Sequence, residues 1–375
     1  MAGIYIHIPF CKQACHYCNF HFSTSLALKN DFTAALLKEI GLRSDYLQNE
    51  IIRTIYFGGG TPSLLEESEM SAILQSLYRN FQVDQEAEVT LEANPDDVGA
   101  AALNGWKRAG INRLSLGVQS FFREDLIWMN RAHDEKQALR SVLDAQAAGL
   151  DNISIDLIYG LPTLTDEKWK ENTATAVSLG IPHLSCYALT VEPKTALFRR
   201  IELGKMQDTV PEDQARQFLE GIQWLEESGY EHYEISNFAK PGKRSRHNSA
   251  YWLSEKYLGL GPSAHSFNGK KRQWNIASNT RYIRSLAANE LSFETETLRP
   301  VDQLNEYIMT SLRTLEGLDL RQVNREFGSE KAEQLEKNTA RYIAAAQMKK
   351  ENEKLFLTPE GKLFADGIAS GLFFD

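Results

Sequence analysis

Residues 3–22 read GIYIHIPFCKQACHYCNFHF. The opening GIYIHIP (3–9) is a β-branched run and is predicted to be a strand. The chain then turns into a polar loop carrying Cys11, Cys15 and Cys18, separated by three and then two residues. Where a further cysteine might follow, the chain has Phe20. The chain has four cysteines in all. The fourth, Cys186, lies in HLSCYALT (183–190) and reads as a small core residue on a strand. A secreted disulfide framework spreads paired cysteines over a short chain, so a tight cluster in a chain of 375 residues points instead to a metal centre. A structural zinc ion takes four protein ligands, for which His7, His16 or His21 would have to complete the set. A cubane iron–sulfur cluster takes one thiolate per iron, so three cysteines leave one iron open for a small ligand.

The strand-then-loop pattern of residues 3–22 recurs. Short apolar runs fall at RTIYFGGG (53–60), EVTLEANP (88–95), NRLSLGVQS (112–120), NISIDLIYG (152–160) and HLSCYALT (183–190). Between them, apolar residues at three- and four-residue spacing predict helices over 31–47, 67–81, 135–149 and 166–180. Gly110, Gly149 and Gly180 stand just past helical runs, where a C-terminal cap belongs. Alternating strands and helices imply right-handed βαβ units and a parallel sheet. Six such units fit either a partial (β/α)6 barrel or an open doubly wound sheet. Polar residues collect at the strand ends: Gly58 to Thr61, Glu92, Asn94, Gln119, Ser120 and Asp156. In parallel α/β folds that end of the sheet carries the chemistry.

Past residue 230 the rhythm changes, so we divide the chain into residues 1–230 and 231–375. The second part begins with aromatic- and glycine-rich short runs. Helices are predicted from Arg299 onward, then a strand, a turn and a closing helix in KLFLTPEGKLFADGIASGLF. That order is winged-helix-like, giving an α+β module at the C-terminus. The chain has a net charge of −9, with 42% hydrophobic and 24% charged residues, the profile of an ordinary soluble globular protein. The acidic balance argues against nucleic acid as a partner. No apolar stretch reaches the roughly 20 residues that span a bilayer, and the start of the chain does not read as a secretory leader. A cytoplasmic protein is expected, and a homodimer is one of the assemblies the sequence allows.

The cysteine loop after the first strand, with GGGTPS after the second, resembles the radical S-adenosylmethionine superfamily. The resemblance implies a partial (β/α)6 barrel whose open side is covered by the C-terminal domain, and a [4Fe–4S] cluster on Cys11, Cys15 and Cys18, with S-adenosylmethionine (SAM) on its unique iron. It also implies that Gly58 to Gly60 let the backbone approach the amino group of that cofactor. YIHIPFC, YFGGGTPS, LEANPDD, RLSLGVQSF and DLIYGLP together are similar to the oxygen-independent coproporphyrinogen III oxidases and their relatives. By that resemblance Tyr5, Gly59 and Glu92 contact SAM, with Glu92 suited to the ribose hydroxyls. Tyr17, Gly60, Thr61, Gln119, Arg131 and Asp156 match positions that line a second SAM site in the oxidase.

Two features depart from the oxidase pattern. The oxidase has a cysteine where this chain has Phe20, and it has a longer segment before its first strand. Both match the HemW subfamily, whose members act as heme chaperones. RHNSAYW (246–252) contains the HNxxYW pattern of that subfamily and makes His247, Asn248, Tyr251 and Trp252 candidate heme contacts. His247 could ligate iron, and the two aromatic rings could face a macrocycle. Lys243, Arg244 and Arg246 could pair with propionates, and His265 is a second candidate ligand. The alternative is that His247 and Trp252 pack the domain junction. The expected function is to hold heme and pass it to a heme-accepting protein. The rival is anaerobic decarboxylation of coproporphyrinogen III, and tRNA modification is disfavoured by the acidic charge.

Overall fold

The computed structural model describes residues 2–375. Six strands form the body of the molecule: β1 (Ala2–Ile8), β2 (Ile52–Gly59), β3 (Val83–Ala93), β4 (Arg113–Gln119), β5 (Ile153–Tyr159) and β6 (His183–Ala188). They pair in parallel and lie side by side in chain order. That order decides between the two architectures that the strand pattern alone allows, in favour of the barrel that the resemblance implies. A doubly wound sheet reverses its strand order at a switch point, and none occurs here. Successive right-handed crossovers in one direction put their helices on one side of the sheet. The crossover helices are α1 (Lys29–Leu42), α2 (Glu67–Asn80), α3 (Ala100–Ala109), α4 (Arg123–Trp128), α5 (Glu135–Ala147) and α6 (Asp166–Ser178). α1 packs on α2, and α2 on α3. The result is a partial (β/α)6 barrel.

Side chains alternate between two faces along each strand. Ile4, Ile6, Ile8, Ile55, Phe57, Val89, Leu91, Leu114, Leu116, Ile153, Ile155, Leu184 and Cys186 all belong to the main apolar core. Cys186 is therefore the core residue its strand setting suggests. The alternate positions carry Tyr5, Thr54, Tyr56, Glu88, Thr90, Glu92, Arg113, Ser115, Ser154, Asp156, His183 and Ser185. A barrel interior this polar is unusual for strands covered on both sides, and it marks the interior as the working face. Gly110, Gly149 and Gly180 each adopt positive φ as α3, α5 and α6 end, confirming their capping role. α1 stops at Leu42, short of the expected residue 47, and turns replace its last predicted turn.

Residues 231–297 extend the sheet at both edges. β7 (Glu231–Glu234) and β8 (Asn237–Ala239) add antiparallel strands beyond β6. β9 (Lys256–Leu260) pairs in parallel with β1, followed by antiparallel β10 (His265–Phe267), β11 (Lys271–Asn275) and β12 (Phe293–Thr297). Purely parallel pairing thus ends near residue 230. The apolar core divides later: Leu304, Ile308, Leu312, Leu318, Val323, Leu335, Leu355, Ile368 and Leu372 form a second cluster. This C-terminal unit runs helix Pro300–Leu312, β13 (Leu318–Asp319), helices Leu320–Phe327 and Ser329–Ala344, β14 (Met348–Glu351) and β15 (Lys354–Leu357). Its antiparallel order β13-β15-β14 and its helix–strand–helix–helix–strand–strand sequence give a winged-helix arrangement. It is tied to the barrel where Leu315 N–H donates to Tyr233 O (2.9 Å), Arg244 pairs with Glu316 (2.7 Å) and Lys362 Nζ meets His232 Nδ1 (2.9 Å).

Candidate cofactor site

The loop after β1 folds back on itself through Cys11 N–H to Ser23 O (3.0 Å) and Ser23 N–H to Pro9 O (2.9 Å). Its far end is fixed by the segment after β4: His16 N–H donates to Met129 O (3.1 Å), and Asn130 Nδ2 donates to Ala14 O (2.8 Å). The loop is therefore held on both flanks, and Cys11, Cys15 and Cys18 all open into one cavity of about 420 Å³ at the C-terminal ends of the strands. All three are free thiols. Burial pushes the Cys11 thiol up to about 11.

His7, His16 and His21 do not line this cavity. His7 places Nε2 against His21 O (2.8 Å) and Nδ1 against the Tyr5 hydroxyl (3.3 Å). His16 Nδ1 faces Trp128 O (3.0 Å), and His21 Nε2 meets Asn279 Oδ1 (2.8 Å). The histidines hold the loop in place. Among the described residues, no three His, Cys, Asp or Glu side chains gather around a point that would suit a single metal ion. Three thiols around one cavity, with the loop histidines turned to other partners, fit a cluster that keeps one iron open better than a single zinc ion.

The end of β2 forms a further wall of the cavity, beside the cysteine loop. Gly59 has φ +105°, and a Cβ there would lie 2.6 Å from the His7 ring. At Gly60 a Cβ would lie 2.6 Å from Phe10 O and 2.8 Å from Ile8 O. Gly60 N–H donates to Ile8 O (2.9 Å), and Thr61 N–H to Phe10 O (2.7 Å). The glycines thus serve a purpose beyond cofactor approach, because they let β2 lie directly against the cysteine loop. The Thr61 hydroxyl reaches both Cys11 and Asn94 Nδ2, the latter at 3.2 Å.

Glu92 and Asp156 line the cavity floor. Glu92 Oε1 accepts from the Tyr56 hydroxyl (2.8 Å), and Oε2 from Gly59 N–H (3.2 Å). Burial, with nearby Asp156 adding repulsion, pushes Glu92 up to about 7 despite the Tyr56 hydrogen bond. Burial likewise raises Asp156 to about 6, partly offset by Ser185 and Arg113. Arg131 spans the side wall: Nη1 reaches Cys15 Sγ (3.2 Å), while Nη2 donates to Asn94 Oδ1 (2.7 Å) and Gly117 O (2.8 Å). Gln119 sits at φ +65° where β4 breaks register with β5, a strained backbone of the kind found at binding sites.

Tyr17, Gly59, Gly60, Thr61, Glu92, Gln119, Arg131 and Asp156 therefore open into the same cavity as the three cysteines. Apart from Tyr5, the two groups of positions that the resemblance assigns to different SAM sites share one space here. Tyr5 lies beneath the wall, its ring stacked 6.1 Å from Tyr56. Tyr56 is the residue that sequence reasoning passed over. It reads as one apolar member of RTIYFGGG, yet it shares a strand face with Thr54 and Gly58, and that alternation is the signal.

The RHNSAYW segment forms the helix Arg246–Trp252 at the other end of the barrel. His247 is 2% exposed, with Nδ1 at 2.7 Å from Thr54 Oγ1 and Nε2 at 3.0 Å from the Tyr251 hydroxyl. Asn248, Tyr251 and Trp252 are half-buried, and the Trp252 ring lies under the Arg313 guanidinium at 5.4 Å. Arg244 is paired with Glu231 and Glu316, and Arg246 donates to Glu86 O. His265 is exposed and stacks on Trp274. The structure thus brings the motif together as a helix but turns its imidazole inward.

Residues 5–175 match the radical SAM superfamily, and residues 298–364 match the HemN C-terminal domain. The chain is 33% identical over 373 residues to the heme chaperone HemW of Bacillus subtilis, covering 98% of each. It is 36% identical over 325 residues to the heme chaperone HemW of Escherichia coli, covering 84% of this chain and 83% of that one. Among solved structures, coproporphyrinogen III oxidase (HemN) from Escherichia coli, a radical SAM enzyme, superposes with a TM-score of 0.85 at 25% identity. That match covers 99% of this chain and 90% of the other. No helix among the described residues is long and apolar enough to cross a membrane.

Proposed function

The chain belongs to the HemW family of the radical SAM superfamily, and from that membership we propose that it is a heme chaperone that binds heme and hands it to an acceptor protein. The observation that carries this reading is the end-to-end similarity to proteins named as heme chaperones, which includes the C-terminal unit as well as the barrel. Phe20, at the position where the oxidase has a cysteine, agrees with it.

In this reading Cys11, Cys15 and Cys18 hold a [4Fe–4S] cluster and SAM occupies the same cavity. Cluster and SAM together supply one-electron chemistry when bound. The chain's own contribution is binding and orientation. Glu92, already fixed by Tyr56 and Gly59, keeps lone pairs free to accept hydroxyl donors of the ribose. The Gly59–Gly60 backbone leaves room for the amino-acid end. Arg131 supports Cys15 and would offset thiolate charge. Iron ligation by His247 requires its imidazole to leave its present partners, because both ring nitrogens are occupied.

The oxidase reading draws on the similarity to the HemN structure. One paired assay separates the two. Protein reconstituted with iron and sulfide is titrated with heme and, separately, tested on coproporphyrinogen III under reducing, anaerobic conditions with SAM. Heme binding without decarboxylation is expected. Decarboxylation without heme binding would reverse the assignment.

A further inference from the structure

We infer that His247 is a positioning residue for the SAM cavity, holding Tyr56, and through it the Glu92 carboxylate, from the opposite end of the barrel. The inference rests on the reading of Glu92 as a SAM contact given above and adds a coupling between two segments that are about 155 residues apart in sequence.

The contacts form one unbroken column. The His247 ring stacks on Tyr56 at 4.9 Å and 23°, and on Tyr5 at 6.4 Å and 27°. It is locked in place by Thr54 on one nitrogen and Tyr251 on the other. Its helix is anchored from β3: Glu88 Oε1 accepts from His247 N–H (3.1 Å) and Oε2 from Arg246 N–H (3.3 Å). β1 leaves room for the ring by having glycine at position 3, where a Cβ would lie 2.7 Å from Thr54 Oγ1 and 3.3 Å from the imidazole. Above the ring, the Tyr56 hydroxyl donates to Glu92 Oε1. Space at the top is equally limited, since a Cβ on Gly58 would meet Tyr5, Tyr56 and Glu92 within 3.1 Å. Tyr56 can therefore move little without displacing either its imidazole support or the carboxylate.

The consequence is reciprocal. A ligand that takes an imidazole nitrogen of His247 must break the Thr54 or Tyr251 hydrogen bond and unstack the ring from Tyr56. By linkage, that ligand and SAM weaken each other's binding by the same factor. The HNxxYW segment then supports the floor of the cofactor site from the far end of the barrel, as well as being a candidate contact for heme.

The test is SAM affinity, measured by equilibrium dialysis on cluster-loaded wild type, Thr54→Val, Thr54→Ser and His247→Phe, with iron content measured in parallel. Thr54→Val keeps the shape but removes the hydroxyl that holds the imidazole, so it provides the test even where His247→Phe misfolds. With iron content unchanged, Thr54→Val is expected to raise the SAM Kd roughly 3- to 10-fold, as loss of one buried hydrogen bond does. Thr54→Ser restores it. Thr54→Val within about twofold of wild type, or Thr54→Ser as weak as Thr54→Val, overturns the assignment alone. Wild type that carries a full cluster and still does not bind SAM overturns the cofactor reading and this assignment with it.

Discussion

The Tyr56 hydroxyl donates to Glu92 Oε1 at 2.8 Å, joining neighbouring strands at the floor of the cavity. Tyr56 is buried, and its hydroxyl together with Gly59 N–H fixes the orientation of the carboxylate. Tyr56→Phe keeps the ring stack and removes only the oxygen. It is expected to leave the fold and cluster intact and to weaken SAM binding by about 1 kcal/mol, roughly fivefold. Calorimetric titration of the reconstituted variant checks this.

Glu92 also makes stability depend on pH. Its carboxyl is held up at about 7 in the folded protein, against 4.5 for an ordinary glutamate. The folded state then binds the proton more tightly than the unfolded state. Without ligand, stability falls as pH rises from 4.5 to about 7 and stays lower above that. Glu92→Gln removes this penalty. Because the group borders the cavity, the gain at pH 8 should be only on the order of 1 kcal/mol, a few degrees in Tm, and close to zero at pH 4.5. Thermal melts of apo wild type and variant at the two pH values give the comparison. A gain at low pH and none at high pH would have the wrong sign.

The packing of β2 on the cysteine loop predicts a contrast between two glycines. A Cβ at Gly60 would press on two backbone carbonyl oxygens, so the loop itself must shift. Gly60→Ala is expected to cost about 1–3 kcal/mol and to lower cluster content. Gly41, within α1, has nothing within 4 Å of a built Cβ. Gly41→Ala should stabilise by about 0.5–1 kcal/mol. Urea titrations and iron analysis read both effects.

Cys15 is the cysteine that Arg131 touches, at 3.2 Å. Cys15→Ala is expected to abolish retention of a full cluster after anaerobic reconstitution, since one iron loses its only thiolate. Iron and sulfide analysis with the visible spectrum decides it. A full complement of iron in the variant would mean that the three-thiol site is misread.

Much of this arrangement was legible in the residues, for identifiable reasons. The six parallel strands announce themselves because their outward faces are mostly isoleucine, leucine and valine, with Phe57 and Cys186, at every second position. The cysteine loop and GGGTPS are local in sequence, so spacing alone presents them. The choice of barrel over open sheet came from the family resemblance and not from the strand pattern, because strand order depends on pairing between segments and leaves no mark on either one. Tyr56 was hidden because an interior tyrosine and a core tyrosine look alike in a run such as RTIYFGGG. The inward turn of His247 was legible only as the alternative of packing at the domain junction, and its partners were not, for a related reason. Its partners, Thr54, Glu88 and Tyr56, lie on strands read long before the helix that meets them, and only their shared barrel interior brings them together.

The most direct test of the account follows heme from donor to acceptor. Cluster-loaded protein is saturated with heme, freed of excess, and mixed with a heme-free hemoprotein while the Soret band of each is followed. The account predicts stoichiometric binding at the first step and transfer at the second, with no decarboxylation of coproporphyrinogen III by the same preparation. Failure to bind heme, together with turnover of coproporphyrinogen III, would contradict it.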